Sequence, residues 1–305
     1  MVALFQAIVS GLALGAIYGL VALSFNITYS TSKTFNFGQG DFLATGGLIG
    51  VSVLLLLAGK PHYAHLLPQE LSLPGFALAI GVSVAMLAVG GVLLYFSAIR
   101  PFVGKGGLNW VISTIGFGII VQSGALAIWG PASIAVPSPL GDATLRIWGV
   151  GVRPQEILIG LAALAVMIAL DITLRHTRFG KALRAVSFSP QASTLVGINV
   201  ERVMIIAFAL SSGLAGLAGL LIAPVTTASV FLGLNLALKA FSAAIVGGLT
   251  NPRGCILGGF LLGVLEAVVA LWHAELREIT IFTLIIVTLA TRPSGLLGQR
   301  IVEKI

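Results

Sequence analysis

The chain has 305 residues, of which 57% are hydrophobic and only 9% charged, and its mean hydropathy is +1.07, whereas ordinary soluble domains carry roughly a quarter charged residues. This excludes a pair of soluble domains and predicts an all-α polytopic membrane protein, because a hydrocarbon core about 30 Å thick is crossed by about 20 apolar residues of helix. The formal charge of +7 sits at the ends of apolar runs without interleaved aromatics, a pattern of topology rather than of nucleic-acid binding, and the single cysteine, Cys255, excludes an internal disulfide or a cysteine-based metal cluster.

Apolar runs at 2–28, 39–58, 75–98, 109–129, 154–174, 203–223, 237–250, 255–272 and 278–291 predict eight or nine transmembrane spans in a single domain covering residues 1–305. No charged side chain precedes Lys33, so the first run lacks the basic flank of a signal peptide and is expected to remain as a span whose far end is cytoplasmic. Gly11, Gly15 and Gly19 recur every four residues within it, a spacing of small residues that lets helices approach closely where hydrophobicity cannot drive them together. Gly254/Gly258 and Gly259/Gly263 repeat the pattern in the eighth run, and Gly213, Gly216 and Gly219 recur at three in the sixth.

The second run opens with FNFGQGDFLATGG, residues 35–47. A charge at a helix centre costs about 2.5–3.5 kcal/mol on insertion scales, so Asp41 belongs near an end. Two readings stand open there: Asp41 caps the helix N-terminus against its dipole, or Asn36, Gln39, Gly40 and Asp41 form a hinged break lining the translocation pathway or its inner gate. The loop 131–153, PASIAVPSPLGDATLRIWGVGVR, cannot continue a helix past Pro131, Pro137 and Pro139; it reads as a solvated outer connector or as a docking surface.

The fifth and sixth runs are separated by the most polar stretch, LRHTRFGKALRAVSFSPQASTLVGINVERVMII, residues 174–206. Arg175, Arg178, Lys181 and Arg184 at spacing three cover one broad helical face and suit a cytoplasmic anchor on anionic lipid. Pro190 can begin a short helix whose Ala192, Leu195, Val196 and Ile198 present an apolar surface, with Gly197 suited to its stop. An apolar face on the cytoplasmic loop 175–202 implies a protein partner.

The seventh run is only about 14 residues long and joins the eighth through NPRG, residues 251–254; the two are full spans or a re-entrant hairpin, and either leaves the C-terminus on the same side. Lys239 and Glu266 lie about 13 residues from that turn on either side, roughly 20 Å along a helix, which places them at equal depth and predicts an intramembrane ion pair. Independent snorkelling of each to the outer interface is the alternative.

With the N-terminus outside, the inner loops hold Lys33, Arg100, Lys105, Arg175, Arg178, Lys181, Arg184, Arg202, Arg253, Arg292, Arg300 and Lys304, against Lys60, Arg146, Arg153 and Arg277 outside. That asymmetry supports an outer N-terminus and a cytoplasmic C-terminus. VGKGG, residues 103–107, lacks the glycine spacing and following hydroxyl of a phosphate-cradling loop. His62 and His65 stand three apart without a third metal ligand, and His176 and His273 lie elsewhere. No catalytic, cofactor or metal constellation is expected, and the chain reads as a transporter rather than an enzyme.

Five segments together carry a family resemblance: FNFGQGDFLATGG (35–47), RPFVGKGGLNWVISTIGFGIIVQ (101–123), TRFGKALRAVSFSPQASTLVGINVERV (177–203), LKAFSAAIVGGLTNPRGCILGGFLLGVLEA (238–267) and RPSGLLG (292–298). The chain resembles, over nearly its whole length, the LivH/LivM-type permeases of bacterial branched-chain amino acid ABC importers, more closely the LivH half. The resemblance implies a non-enzymatic inner-membrane subunit paired with a second, similar permease, two cytoplasmic ATPases and a periplasmic substrate-binding protein. The ATPases would contact the loop around Arg184 to Gly197 and move it as they close on ATP. The substrates implied are leucine, isoleucine and valine, although similar permeases serve urea, short amides and aromatic acids. Members often carry acidic residues between the counterparts of Val186 and Gly197, where this chain has Ser187, Ser189 and Gln191, so an apolar, shape-based fit is expected instead. A stand-alone secondary transporter or channel is the reading from another class; it would leave the apolar loop surface without a user.

Overall fold

In hydrocarbon no water satisfies backbone N–H and C=O groups, so apolar runs close their hydrogen bonds within helices. The computed structural model describes residues 2–61, 64, 67, 71–103, 107–141, 143–147 and 150–298. His62, His65, Lys105, Arg300 and Lys304 lie outside the described residues. The helices, in chain order, are α1 (Val2–Ser32), α2 (Gln39–Leu57), α3 (Leu73–Leu94), α4 (Asn109–Trp129), α5 (Pro154–His176), α6 (Arg178–Phe188), α7 (Pro190–Leu195), α8 (Val200–Ile222), α9 (Leu232–Gly247), α10 (Pro252–Ala270) and α11 (Leu276–Thr291). Among the described residues seven spans, with α3 counted together with the turns that follow it, are long and apolar enough to cross a membrane; α9 is apolar but shorter at 16 residues, as is α11. The fold is thus a polytopic helical membrane protein.

α1 runs through the centre of the bundle, with α10 as its largest partner and α8, α9 and α5 also against it. α2 and α8 are largely buried, whereas α3, α4 and α5 expose most of their apolar surface. The glycine repeats explain the close packing. A Cβ on Gly11 would stand 2.8 Å from the Gly263 carbonyl oxygen, and one on Gly15 would stand 2.8 Å from that of Gly259. Backbones in such contact gain dispersion along their whole length, the attraction still available where lipid is as apolar as leucine.

Several boundaries depart from the sequence reading. α9 begins and ends earlier than 237–250, because Gly248 at φ +108° stops it and Asn251 caps α10 by accepting from the Arg253 N–H at 3.1 Å. α3 continues through a π-helical turn (Tyr95–Ile99) and a 3₁₀ turn (Arg100–Phe102). Pro101 offers no N–H and crowds the preceding turn, which widens it. The spacing of Arg175, Arg178, Lys181 and Arg184 does not lie on one helix: the chain turns extended at Thr177, whose hydroxyl accepts from the Gly180 N–H at 3.1 Å, so Arg175 ends α5 and the other three ride on α6. The loop 131–153 is not a free connector either. Ile134 pairs with Ala228, Ile134, Val136 and Ser138 are buried, and two short antiparallel strands, β1 (Leu145–Ile147) and β2 (Val150–Val152), form a hairpin.

The α1–α10 contact yields a clean comparison. Gly15→Ala is expected to lower the thermal unfolding midpoint of the purified chain by about 5 °C. Gly81→Ala, in α3 with nothing within 4 Å of the added Cβ, should leave it unchanged or slightly raised. Equal midpoints for the two variants would remove the packing role assigned to the glycine stripe.

Candidate functional site

Three groups of polar residues interrupt the apolar bundle. The first is the connection between α1 and α2. Lys33 closes α1 in the left-handed region at φ 56° and lies 5.5 Å over the Tyr29 ring, and burial holds its amine below the usual lysine range. Asn36 Nδ2 donates to Gln39 Oε1 at 2.9 Å while Asn36 Oδ1 accepts from the Gly38 N–H at 3.0 Å. Gln39 Nε2 in turn donates to Ser24 Oγ at 2.8 Å and to the Ser211 carbonyl at 3.0 Å. Both side chains are buried and fully engaged. They tie α1, α2 and α8 together at one end of the bundle.

Gly40 and Asp41 complete this joint. A Cβ on Gly40 would stand 2.7 Å from the Gly233 carbonyl of α9, so backbone meets backbone there. Asp41, in the first turn of α2, is half-buried with Oδ2 directed at Gly118 of α4. The four candidate gate residues are therefore brought to one junction: Gly40 and Asp41 face α9 and α4, Gln39 is bonded to α1 and α8, and Asn36 braces Gln39 and Gly38. Beside it lies an aromatic cluster that pattern reading passed over. Phe35 stacks on Tyr29 at 4.7 Å between centroids and meets Phe241 edge-on at 5.1 Å, and Phe37 stacks on Trp110 at 6.1 Å. The repeated aromatics of FNF were its only trace in the sequence; Trp110 and Phe241 join from far along the chain.

The second group lies near the other end. Lys239 Nζ stands 2.6 Å from Glu266 Oε1, and the Tyr18 hydroxyl donates to Glu266 Oε2 at 2.8 Å. Each carboxylate oxygen thus has a partner, the condition under which a buried charge is tolerable. Tyr18, 2% exposed, had no periodic signature and was not anticipated. The antiparallel α9–α10 hairpin puts the two charges at matching depth, and Asn26 Nδ2 pins its turn to α1 through the Leu249 carbonyl at 2.6 Å.

The third group is the loop of α6 and α7. Ser189 caps α7 by accepting from the Ala192 N–H at 3.2 Å, Pro190 occupies the first helical position, and Gly197 ends the turn at φ +81°. The Gly197 and Ile198 N–H groups donate back to the Thr194 and Ser193 carbonyls at 3.1 and 3.0 Å, a glycine-stopped helix end. Leu183, Val186 and Ser193 face inward, whereas Phe188 is 93% exposed, Leu195 88% and Val196 75%. Pro190 and Ala192 are exposed alongside them. Ile198 departs from the expectation: it is half-buried and packs on the core. Phe188 joins the exposed apolar set in its place, and its signal was an aromatic at a helix end just before a Ser-Pro cap. Arg184 is exposed and donates to the Arg175 carbonyl at 3.3 Å, bracing α6 against the end of α5. Surface pairs nearby, Asp171 with Arg175 at 2.9 Å and with Arg253 at 3.1 Å, and Arg100 with Glu201 at 2.9 Å, each contribute little in water.

Among the described residues no group of three or more His, Cys, Asp or Glu could hold a metal ion. The architecture defines a multi-pass helical membrane protein with polar joints inside the bundle and an apolar helical loop at one end. Residues 7–289 match the model of the family described as "Branched-chain amino acid transport system / permease component", and the chain belongs to that family. It is 30% identical to the high-affinity branched-chain amino acid transport system permease protein BraD of Pseudomonas aeruginosa, over 98% of this chain and 97% of that one. It is 28% identical to the corresponding permease protein LivH of Escherichia coli K12 over the same shares, and 27% identical to the ribose import permease protein RbsC of that organism over 79% of this chain and 76% of the other. No solved structure matches the chain.

The ion pair can be tested by removing one partner and then both. Lys239→Met leaves Glu266 with Tyr18 alone and should destabilise the chain by about 3–5 kcal/mol, whereas Lys239→Met with Glu266→Leu should recover most of that loss. Denaturation in mixed micelles measures both; a double variant no more stable than the single would show that the charges do not act as a pair.

Proposed function

We propose that the chain is the membrane-embedded permease subunit of an ATP-binding-cassette importer that carries leucine, isoleucine and valine across a bacterial inner membrane. It pairs with a second, similar permease, receives substrate from a periplasmic binding protein and is driven by two cytoplasmic ATPase subunits. The N-terminus lies outside and the C-terminus in the cytoplasm, which the distribution of Lys and Arg supports. The chemistry of hydrolysis belongs to the ATPases.

The observation that carries the proposal is the exposed apolar set of Phe188, Leu195 and Val196 on short, capped helices. Large apolar side chains held rigidly in water mark a docking surface. Arg184 and Pro190 position the set, Ala192 leaves room against it, Gly197 stops its helix, and Ile198 anchors it to the bundle. A partner that moves this loop moves α5 and α8, between which it is strung, and α1, against which α6 packs. Nucleotide-driven closure of the ATPases then reaches the junction of Asn36, Gln39, Gly40 and Asp41, where the pathway opens or shuts.

The full-length relatives named for branched-chain amino acid transport support that substrate class. The relative named for ribose import supports assigning most of the selection to the binding protein rather than to the permease scaffold. Urea, short amides and aromatic acids are the other substrates within the same importer reading.

Leu195→Asp and Gly197→Pro should each uncouple ATP hydrolysis from uptake or prevent ATPase assembly, cutting leucine uptake at least about tenfold while membrane insertion persists. Proline at 197 meets both a positive φ and an engaged N–H. Uptake assays in proteoliposomes with ATP inside decide it; wild-type transport by both variants would remove the loop from the coupling path.

A further inference from the structure

The end of the bundle that carries the β1–β2 hairpin holds a group that neither the packing nor the coupling loop uses. Glu156, in the first turn of α5, is 9% exposed. Its Oε1 accepts from Ser10 Oγ of α1 at 2.9 Å, but its Oε2 is sealed from solvent with no hydrogen-bond partner among the described residues. A buried carboxylate oxygen left in that state is costly. It adjoins a chamber of about 40 Å³ lined by Ser10, Leu14, Glu156, Ile159 and Val225, large enough for a water-sized group.

That chamber does not stand alone. Ser10 and Leu14 also line a larger, open cleft of about 360 Å³ between α1, α10 and the start of α11. This volume sits near the lower end of small-molecule sites, which suits a solute rather than a peptide. Glu266 reaches the cleft, but its oxygens are already taken by Lys239 and Tyr18. Arg277 stands exposed at the cleft and, among the described residues, forms no ion pair. The rest of the cleft wall is mostly apolar, with Ala7, Leu14 and Leu271, and carries Gln6 and Ser10 as uncharged polar groups. Ser10 and Leu14 are common to both cavities, so a carboxylate oxygen without a partner among the described residues lines the chamber, and a cation without an ion pair among them lines the adjoining cleft together with apolar side chains.

We propose that this cleft is a binding site for a zwitterionic amino acid, with the ammonium on Glu156 and Ser10, the carboxylate on Arg277 and the aliphatic side chain along Leu14 and Leu271. An ammonium group has the size of a water and three donors, so it fits the chamber and satisfies Oε2. A neutral sugar or amide would leave both charges without counterparts. The proposal rests on the reading of the cargo as an amino acid and adds to it a waypoint in this chain. By the proposed topology it opens on the outer side, where a binding protein releases its ligand.

The test uses the full chain in phosphatidylcholine nanodiscs and two half-probes. Leucine methyl ester keeps the ammonium and lacks the carboxylate; 4-methylpentanoate keeps the carboxylate and lacks the ammonium. Glu156→Gln should weaken leucine and the ester at least about tenfold and leave 4-methylpentanoate unaffected, whereas Arg277→Gln should weaken leucine and 4-methylpentanoate and spare the ester. A variant that merely misfolds cannot produce this crossed pattern. Equal loss of both probes in both variants, or no loss in either, overturns the site. Leucine binding that vanishes when phosphatidylethanolamine replaces phosphatidylcholine assigns the cleft to a lipid headgroup and overturns it as well. A wild-type chain that binds neither probe, while the assembled importer takes up leucine, overturns the site and spares the function; an importer that ignores leucine overturns the function itself.

Discussion

The contact between the backbones of α1 and α10 is the constraint on which the other arrangements depend. Gly11 and Gly15 meet Gly263 and Gly259 with no side chain between them. Within a bilayer, association cannot draw on the release of water, so surface fit and dispersion must hold helices together. Glycine trades helix propensity for that approach. Once α10 is seated on α1, the short α9 follows it as a hairpin, and Lys239, Glu266 and Tyr18 fall into register as a consequence.

The buried polar groups then act as joints between helices that dispersion alone would let slide. Asn36 and Gln39 link three helices through the Ser24 hydroxyl and the Ser211 carbonyl, and Asn26 and Asn251 fix the hairpin turn to α1 and to the Leu297 carbonyl. Each such bond has few competitors in a medium without water, which favours one register over its neighbours. Asp41 differs from these. It keeps a partly open side against α4, so the same junction holds both a rigid brace and a group free to respond.

The two ends of the bundle present different surfaces. One end carries Phe188, Leu195 and Val196, all exposed, on capped helices. The other carries the hairpin, the anchored loop 131–141 and the cleft that reaches Glu266 and Arg277, with Glu156 in the chamber beside it. α1, α5 and α8 run between the ends. Packed helices shift as rigid rods, so a displacement of the α6–α7 segment is passed to the helices that it joins.

Hydropathy and glycine spacing by themselves determined the class, the helices and most of their limits, because an apolar run of sufficient length has a single way to satisfy its backbone in lipid. The Pro190 start and Gly197 stop of α7 were legible for an equally local reason, since proline and glycine restrict φ whatever surrounds them. Lys239 and Glu266 were readable as a pair because a hairpin ties sequence distance to depth. Tertiary structure alone decided which side chains complete each joint. Tyr18 beneath Glu266, Ser211 beneath Gln39, Trp110 and Phe241 around Phe35, and Ser10 against Glu156 are brought together by helices far apart in the chain. It also decided that Ile198 turns inward while Phe188 turns out, and that Arg175 parts from Arg178 at Thr177. Rotation of a helix about its axis is set by the neighbours it packs on, and a one-dimensional pattern that is apolar on every side leaves that rotation undetermined.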